Sequence, residues 1–315
     1  MSEADGRLEY SAPGKVILFG EHAVVYGRPA LAVPVSQVRA TATIEPSPSG
    51  SGLTIVAPQI EKRISLATAP PDEPLSFAAR LTLERLRIGE PDAVLTISST
   101  IPVAGGLGSG AAVSTALVRA LAAFLGFEPE NAWISELVFE VEKIHHGTPS
   151  GIDNTVIAYE QPVYFRRGHP VLRLHAGAPF TLLIGDTGVR SLTKEVVGDV
   201  RRGWESRRAY YEALFDRIGE LAEQARSAIE AGDIGALGLL MDENHALLSE
   251  LGVSSPELDL LVETARAAGA LGAKLSGAGR GGNMVALVEE DTAARIMEAL
   301  KQAGAVNVIR TRVTR

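Results

Sequence analysis

The chain has 315 residues, 46% of them apolar and 22% charged, with a formal net charge of −8 and no cysteine. That length suits one large or two ordinary domains with full cores. The acidic balance argues against nucleic acid or an anionic membrane as partner, and the missing cysteines exclude disulfides, thiolate metal sites and cysteine nucleophiles.

The opening, MSEADGRLEY, is polar and lacks the apolar stretch of a signal peptide. No run of about 18 apolar residues occurs, so no spanning helix is expected. A cytoplasmic enzyme-sized protein is the expectation. Residues 12–35 then read APGKVILFGEHAVVYGRPALAVPV. Val16, Ile17 and Leu18 suit a buried strand. Gly20, Glu21 and His22 interrupt it with polar groups in apolar surroundings, which marks a turn or a site. A lone lysine in a strand is usually a solvated edge residue, but Lys15 sits between a Pro-Gly turn and the Gly-Glu-His break. Residues 30–35 resume an apolar run, and 39–44 alternate like a strand. The stretch 46–74 is rich in Pro, Ser and Gly and reads as a hairpin tip or flap. Helical spacing follows over 76–87, then alternation over 94–98.

The next stretch, 101–125, is IPVAGGLGSGAAVSTALVRALAAFL. Its small residues run straight into a helical stripe of Ala111, Ser114, Leu117, Val118, Leu121, Phe124 and Leu125, with Gly126 as a stop. A glycine loop opening a helix is an anion site. The first N–H groups have no internal partner and the helix dipole places positive charge there. A tight turn capping an ordinary core helix fits the same residues. The loop is neither GxxxxGK[ST] nor GxGxxG.

A second helix is expected over 131–145, with Ile134, Leu137, Val138 and Val141 on one stripe and Glu142 beside it. It gives way to HGTPSGIDN, residues 146–154. By itself Glu142 is a solvated helix flank, and Asp153 a helix cap. Short strands are expected at 163–165 and 171–174, with His169 and His175 at the surface. Composition shifts near 177–179, the expected domain boundary, giving domains 1–177 and 178–315. A buried strand at 180–185 runs into the polar loop 186–194. Residues 195–226 read as one charged helix, and 229–248 as helical with a break at Gly232 and Asp233. Asn244 and His245 read as helix-surface residues. KLSGAGRGG, residues 274–282, precedes an apolar strand at 284–288. A helix over 292–303, with Asp291 available as its cap, and a strand over 306–313 close the chain.

Several of these stretches resemble one family, the GHMP kinases. Residues 102–112 are similar to the PxxxGLGSSAA phosphate loop, 274–282 to the K-[LI]-[ST]-GAGGGG motif, and PGKVILFGEHAVVYG to the first motif in its mevalonate kinase form. EKIHHGTPSGIDN and residues 241–261 also resemble the mevalonate kinases. The resemblance implies an α+β GHMP kinase fold. Its N-terminal half is like ribosomal protein S5 domain 2, and its C-terminal half is a ferredoxin-like α/β sandwich, with the active site between them. It implies a kinase with ATP as co-substrate, Mg²⁺ as cofactor, and mevalonate as acceptor through its 5-hydroxyl. Asp153 and Lys15 would be catalytic, Lys15 lying close to Asp153 in the family. Glu142, with Ser109 as a further candidate, would hold the metal. Pro102, Gly105, Gly106, Leu107, Gly108, Ser109, Gly110, Ala111 and Ala112 would bind the nucleotide. Glu21, His22, Thr193, Gly277 and Ala278 would face the acceptor. Family members often form dimers.

Two positions depart from the pattern. Gly110 stands where the family has a second serine, a magnesium ligand in mevalonate kinases. Arg280 stands where the pattern has glycine: either a solvated turn residue, or a fixed cation near the nucleotide phosphates. A homoserine, sugar or phosphomevalonate kinase of the same family stays open, as does a non-catalytic nucleotide-binding regulator.

Overall fold

The computed structural model describes residues 6–102, 106–146 and 149–314. The chain divides into two compact units, one of residues 1–14, 38–102 and 108–160, the other of residues 15–37, 103–107 and 161–315. Two strands run through both: β1 (Leu8–Phe19) and the 17-residue β2 (Ala30–Pro46). The apolar run at 30–35 and the alternating one at 39–44 are thus one strand.

In the first unit, residues 40–46 of β2 pair antiparallel with β5 (Ala93–Ser99), and β5 pairs in parallel with β3 (Leu53–Ala57). β4 (Lys62–Ser65) completes the edge. The stretch 46–74, expected as a flap, therefore holds two strands. Its alternation is only five residues long: Leu53, Ile55 and Ala57 point inward while Thr54 and Val56 are half-buried. Four helices pack together here: α1 (Pro74–Leu86), α2 (Ser109–Phe124), α3 (Asn131–His146) and α4 (Ile152–Tyr159). Small residues let α2 bury most of its surface: Ala111, Ala112, Ala116, Ala120 and Ala122 are all inaccessible.

In the second unit, residues 30–32 of β2 pair with β6 (Val163–Phe165), which pairs with β7 (Leu172–Arg173). A separate antiparallel sheet takes the order β11-β8-β10-β9, from β8 (Phe180–Asp186), β9 (Gly272–Ser276), β10 (Asn283–Val288) and β11 (Asn307–Val313). β8 and β10 are central and mostly apolar, with Thr181, Asp186 and Asn283 the polar exceptions. Helices α5 (Thr193–Ser206), α6 (Arg208–Ala231), α7 (Ile234–Glu250), α8 (Pro256–Ala267) and α9 (Ala293–Gln302) accompany them.

The single helix expected over 195–226 is two, broken at Arg207, whose φ of −133° is extended rather than helical. The break at Gly232 and Asp233 occurs as expected, with Asp233 accepting from the Ala236 N–H at 3.0 Å. At α9 the flanking cap residue is Thr292, not Asp291, and no side chain caps the helix. Across the described residues no helix is long and apolar enough to cross a membrane.

Candidate active site

In the first unit the site is built on the start of α2. Gly108 adopts a left-handed conformation, φ 72°, immediately before the helix, and no side chain caps it. The Ala112 N–H makes the first helical bond, to Gly108 O at 2.9 Å. By helix geometry the N–H groups of Ser109, Gly110 and Ala111 then point outward for a ligand. Glu142 comes from α3 and is nearly inaccessible. Its Oε1 would lie 3.2 Å from a Cβ built on Gly110. Glu142, which by its spacing suited a solvated flank, therefore faces the open helix turn. Two nucleotide and metal candidates far apart in sequence, Gly110 and Glu142, are neighbours.

Asp153 lies in the first turn of α4, half-buried. It does not cap that helix. The residue before the helix is Gly151, at φ 93°, a conformation that favours glycine. The turn is held by its neighbours instead. Thr155 Oγ1 donates to Gly151 O at 2.7 Å, and Asn154 Nδ2 donates to Ser135 O at 3.0 Å and to Ser135 Oγ at 2.9 Å. Pro102 is half-buried at the end of its described segment. Gly105 lies outside the described residues.

In the second unit the Lys15 N–H donates to Leu107 O at 3.0 Å, so the first motif anchors the glycine loop through its backbone. Lys15 is buried. The Gly-Glu-His turn is tightly made. A Cβ at Gly20 would lie 2.4 Å from Pro29 O, and His22 is held at φ 60°. A non-glycine residue at positive φ stores strain, and such strain gathers at functional sites. His22 Nε2 meets Ala278 O at 2.9 Å. The carbonyl only accepts, so that nitrogen carries the proton and Nδ1 is left as an acceptor. Burial lowers the His22 pKa to about 4, and Arg280 pushes the same way, while the Ala278 bond opposes them. The imidazole is neutral at pH 7.

Glu21 is wholly buried. Its Oε1 pairs with Lys274, and its Oε2 accepts from Asn244 Nδ2 at 3.2 Å. Lys274 also donates to Leu275 O at 2.6 Å. Its pKa is lowered by burial, with Glu21 acting against the shift. A buried pair of this kind is strongly destabilising to break, about 3–5 kcal/mol, because the surviving charge has nowhere to go. Glu21, expected to face the acceptor, thus fastens the turn that carries His22 to β9.

Asn244 and His245, expected at the surface, are buried on α7. The Leu275 N–H donates to His245 Nδ1 at 3.3 Å, and His245 Nε2 faces Asp259 Oδ1 at 3.3 Å. Lys274 was read only as the start of the 274–282 motif and Asn244 as a surface residue, and Ser191 was not singled out. The available signal was Lys274 itself, a charge in an otherwise apolar strand.

The loop after β9 closes a cavity of about 30 Å³, lined by Gly106, Ser191, Thr193 and residues 276–279 and 281–283. Gly277 and Ala278 are part of that lining. Thr193 is exposed and opens α5. The lining is mostly glycine and alanine, with three hydroxyl residues, Ser191, Thr193 and Ser276, and with Asn283, a surface that suits an oxyanion.

Sequence comparison agrees with this geometry. The family model "GHMP kinases N terminal domain" matches residues 75–161, and "GHMP kinases C terminal" matches residues 225–306. The mevalonate kinase of Pyrococcus horikoshii is 38% identical, over 97% of this chain and 95% of its own. That of Thermococcus sibiricus is 35% identical, over 98% and 97%. The crystal structure of L. major mevalonate kinase in complex with R-mevalonate superposes with a TM-score of 0.86 at 31% identity, covering 100% of this chain and 99% of that one. An α+β fold with an uncapped helix start after a glycine loop, together with these matches, defines a kinase acting on a hydroxyl group. The chain belongs to the GHMP kinases, and within them to the mevalonate kinase family.

Proposed function

We propose that the chain transfers the γ-phosphoryl group of ATP to the 5-hydroxyl of mevalonate. The observation that carries this reading is the start of α2 with Glu142 set against it. A helix N-terminus attracts phosphate, yet a carboxylate beside it repels phosphate. The two are compatible when a divalent cation lies between them. Among the described residues no cluster of three acidic or histidine side chains could hold a metal alone. Magnesium at a phosphoryl-transfer site needs none, since it takes one or two carboxylates together with phosphate oxygens and water. Glu142 fits that requirement, with Ser109 at the same helix start as a further candidate ligand. Bound Mg²⁺ would supply neutralisation of the charge on the transferring group.

The remaining chemistry belongs to the chain. Phosphoryl transfer needs positioning and charge stabilisation more than covalent help. Backbone N–H groups at 106–112 hold the nucleotide phosphates. Asp153 orients the 5-hydroxyl and accepts its proton. Lys15 supplies positive charge toward the transferring group. His22 and Thr193 face the acceptor, with the backbone of Gly277 and Ala278 beside them. His22 serves as a neutral hydrogen-bonding group, because burial keeps it unprotonated.

The test is coupled ADP release from wild type and Asp153→Asn, with mevalonate, phosphomevalonate, homoserine and galactose as alternative acceptors. Turnover is expected on mevalonate alone, and the variant should lose about a hundredfold or more, as for a proton acceptor. Turnover on another acceptor, or a variant as active as wild type, would refute the reading.

A further inference from the structure

Arg280 stands where the family pattern has glycine, and it keeps the backbone conformation that glycine favours, φ 52°. Its anchors account for that. The Arg280 N–H donates to Val253 O at 2.8 Å. Its Nε donates to Gly252 O at 3.1 Å, and its guanidinium forms an ion pair with Asp199 on α5. The Asp199 carboxyl is held below its ordinary pKa, first of all by that bond.

The flanking glycines show how tightly the loop is held. A Cβ at Gly279 would fall 1.9 Å from Val253 O, and one at Gly281 would fall 2.5 Å from Val189 O. Ser191 Oγ donates to Gly279 O at 2.6 Å, and the Gly282 N–H donates to Val189 O at 2.8 Å. The loop is therefore pinned by the turn after α7 on one side and by the segment before α5 on the other. Among these bonds, the tie from α5 itself to this loop is Asp199 to Arg280. Asp199 lies less than two turns beyond Thr193, the first residue of α5, which lines the oxyanion-sized cavity. His22 grips the same loop at Ala278.

We propose that Arg280 is a positioning residue for the acceptor. Its ion pair with Asp199 fixes the start of α5 against the loop 277–282, and so fixes how Thr193 and His22 meet mevalonate. The guanidinium is engaged by Asp199 and Gly252 and acts through α5, not on the nucleotide. This rests on the assignment of Thr193 and His22 to the acceptor side.

Steady-state kinetics of Arg280→Gly, Arg280→Lys, Asp199→Asn, the Arg280→Gly/Asp199→Asn double variant and Thr193→Ala test the proposal, with mevalonate and ATP each varied. Arg280→Gly and Asp199→Asn should each raise the mevalonate KM about five- to tenfold and leave the ATP KM within about twofold. The double variant should be no worse than Arg280→Gly, because both changes remove one interaction. Arg280→Lys keeps the charge and should recover most of the loss, which also guards against a glycine variant that folds poorly. A raised ATP KM with an unchanged mevalonate KM would make Arg280 a nucleotide ligand and overturn the proposal. So would a silent Asp199→Asn. Thr193→Ala separates the two layers. If it leaves the mevalonate KM unchanged, the acceptor-side assignment fails. If it raises that KM while Arg280→Gly does not, only the role of Arg280 fails.

Discussion

Gly110 is the residue at which this chain departs from its family's phosphate loop, and its surroundings say what a serine would meet. A Cβ there would lie 3.2 Å from Glu142 Oε1, so the carboxylate would have to give by a few tenths of an ångström. A hydroxyl on that carbon would then stand beside Glu142, able to complete a metal's coordination in place of water, which magnesium gives up reluctantly. We predict that Gly110→Ser lowers the Mg²⁺ concentration giving half-maximal ADP release about threefold or more, a modest gain for one added oxygen ligand. An unchanged magnesium titration would count against it. The residues around the site were legible in the sequence unequally. Lys15, Glu142, Asp153 and the glycine loop lie in contiguous motifs whose family resemblance made them candidates; spacing alone read Glu142 as a solvated flank and Asp153 as a helix cap. Asn244 and His245 did not, because a polar residue on a helix reads as solvated unless its partner is known. Asn244 meets Glu21 from 223 residues away, a relation no local pattern carries.

At the scale of elements the sequence was readable wherever a period ran long enough. The helices α2 and α3 and the strands β5, β6 and β8 fall within a residue or two of the expected bounds. β3 was lost because Val56 breaks the apolar/polar alternation of 53–57 and the surrounding Pro, Ser and Gly read as loop. The break at Arg207 was lost because it contains neither glycine nor proline, the usual punctuation. Close packing of α7 on β9 depends on another pair of glycines. A Cβ at Gly238 would lie 2.3 Å from Leu271 O, and one at Gly272 would lie 2.0 Å from Gly238 O. Backbone cannot move aside as a side-chain tip does. Gly238→Ala is therefore expected to cost about 3 kcal/mol in urea unfolding, at the upper end of overpacking effects. Gly198→Ala on α5 is its control. There the new methyl meets only the tip of Arg202, 3.4 Å away, and helix propensity should make the change neutral or stabilising by up to about 1 kcal/mol. Equal destabilisation by both would show that the α7–β9 contact is not the cause.

For the whole molecule the two histidines buried among the described residues, His22 and His245, set an acid limit. Burial holds both His22 and His245 near 4, against 6.5 for an exposed imidazole. The unfolded chain binds their protons below pH 6.5 and the folded chain refuses them until about pH 4. Their contribution to stability is thus complete above 6.5 and falls through that window, by about 1.4 kcal/mol per pH unit for each histidine at the steepest. Urea unfolding at pH 7, 6 and 5 should show this slope, and His245→Gln should remove about half of it. A flat profile, or an unaltered slope in the variant, would contradict it. The Glu21–Lys274 pair has a consequence of another kind, for synthesis. Its members are 253 residues apart, so at translation rates of about 5–20 residues per second Glu21 leaves the ribosome roughly 10–50 s before its partner exists. Through that interval the carboxylate must stay in water, and the turn bearing His22 cannot settle into its final place. Until β9 has been made the first motif lacks the buried partner of Glu21, and a chain that stops before that strand would leave this carboxylate unpaired.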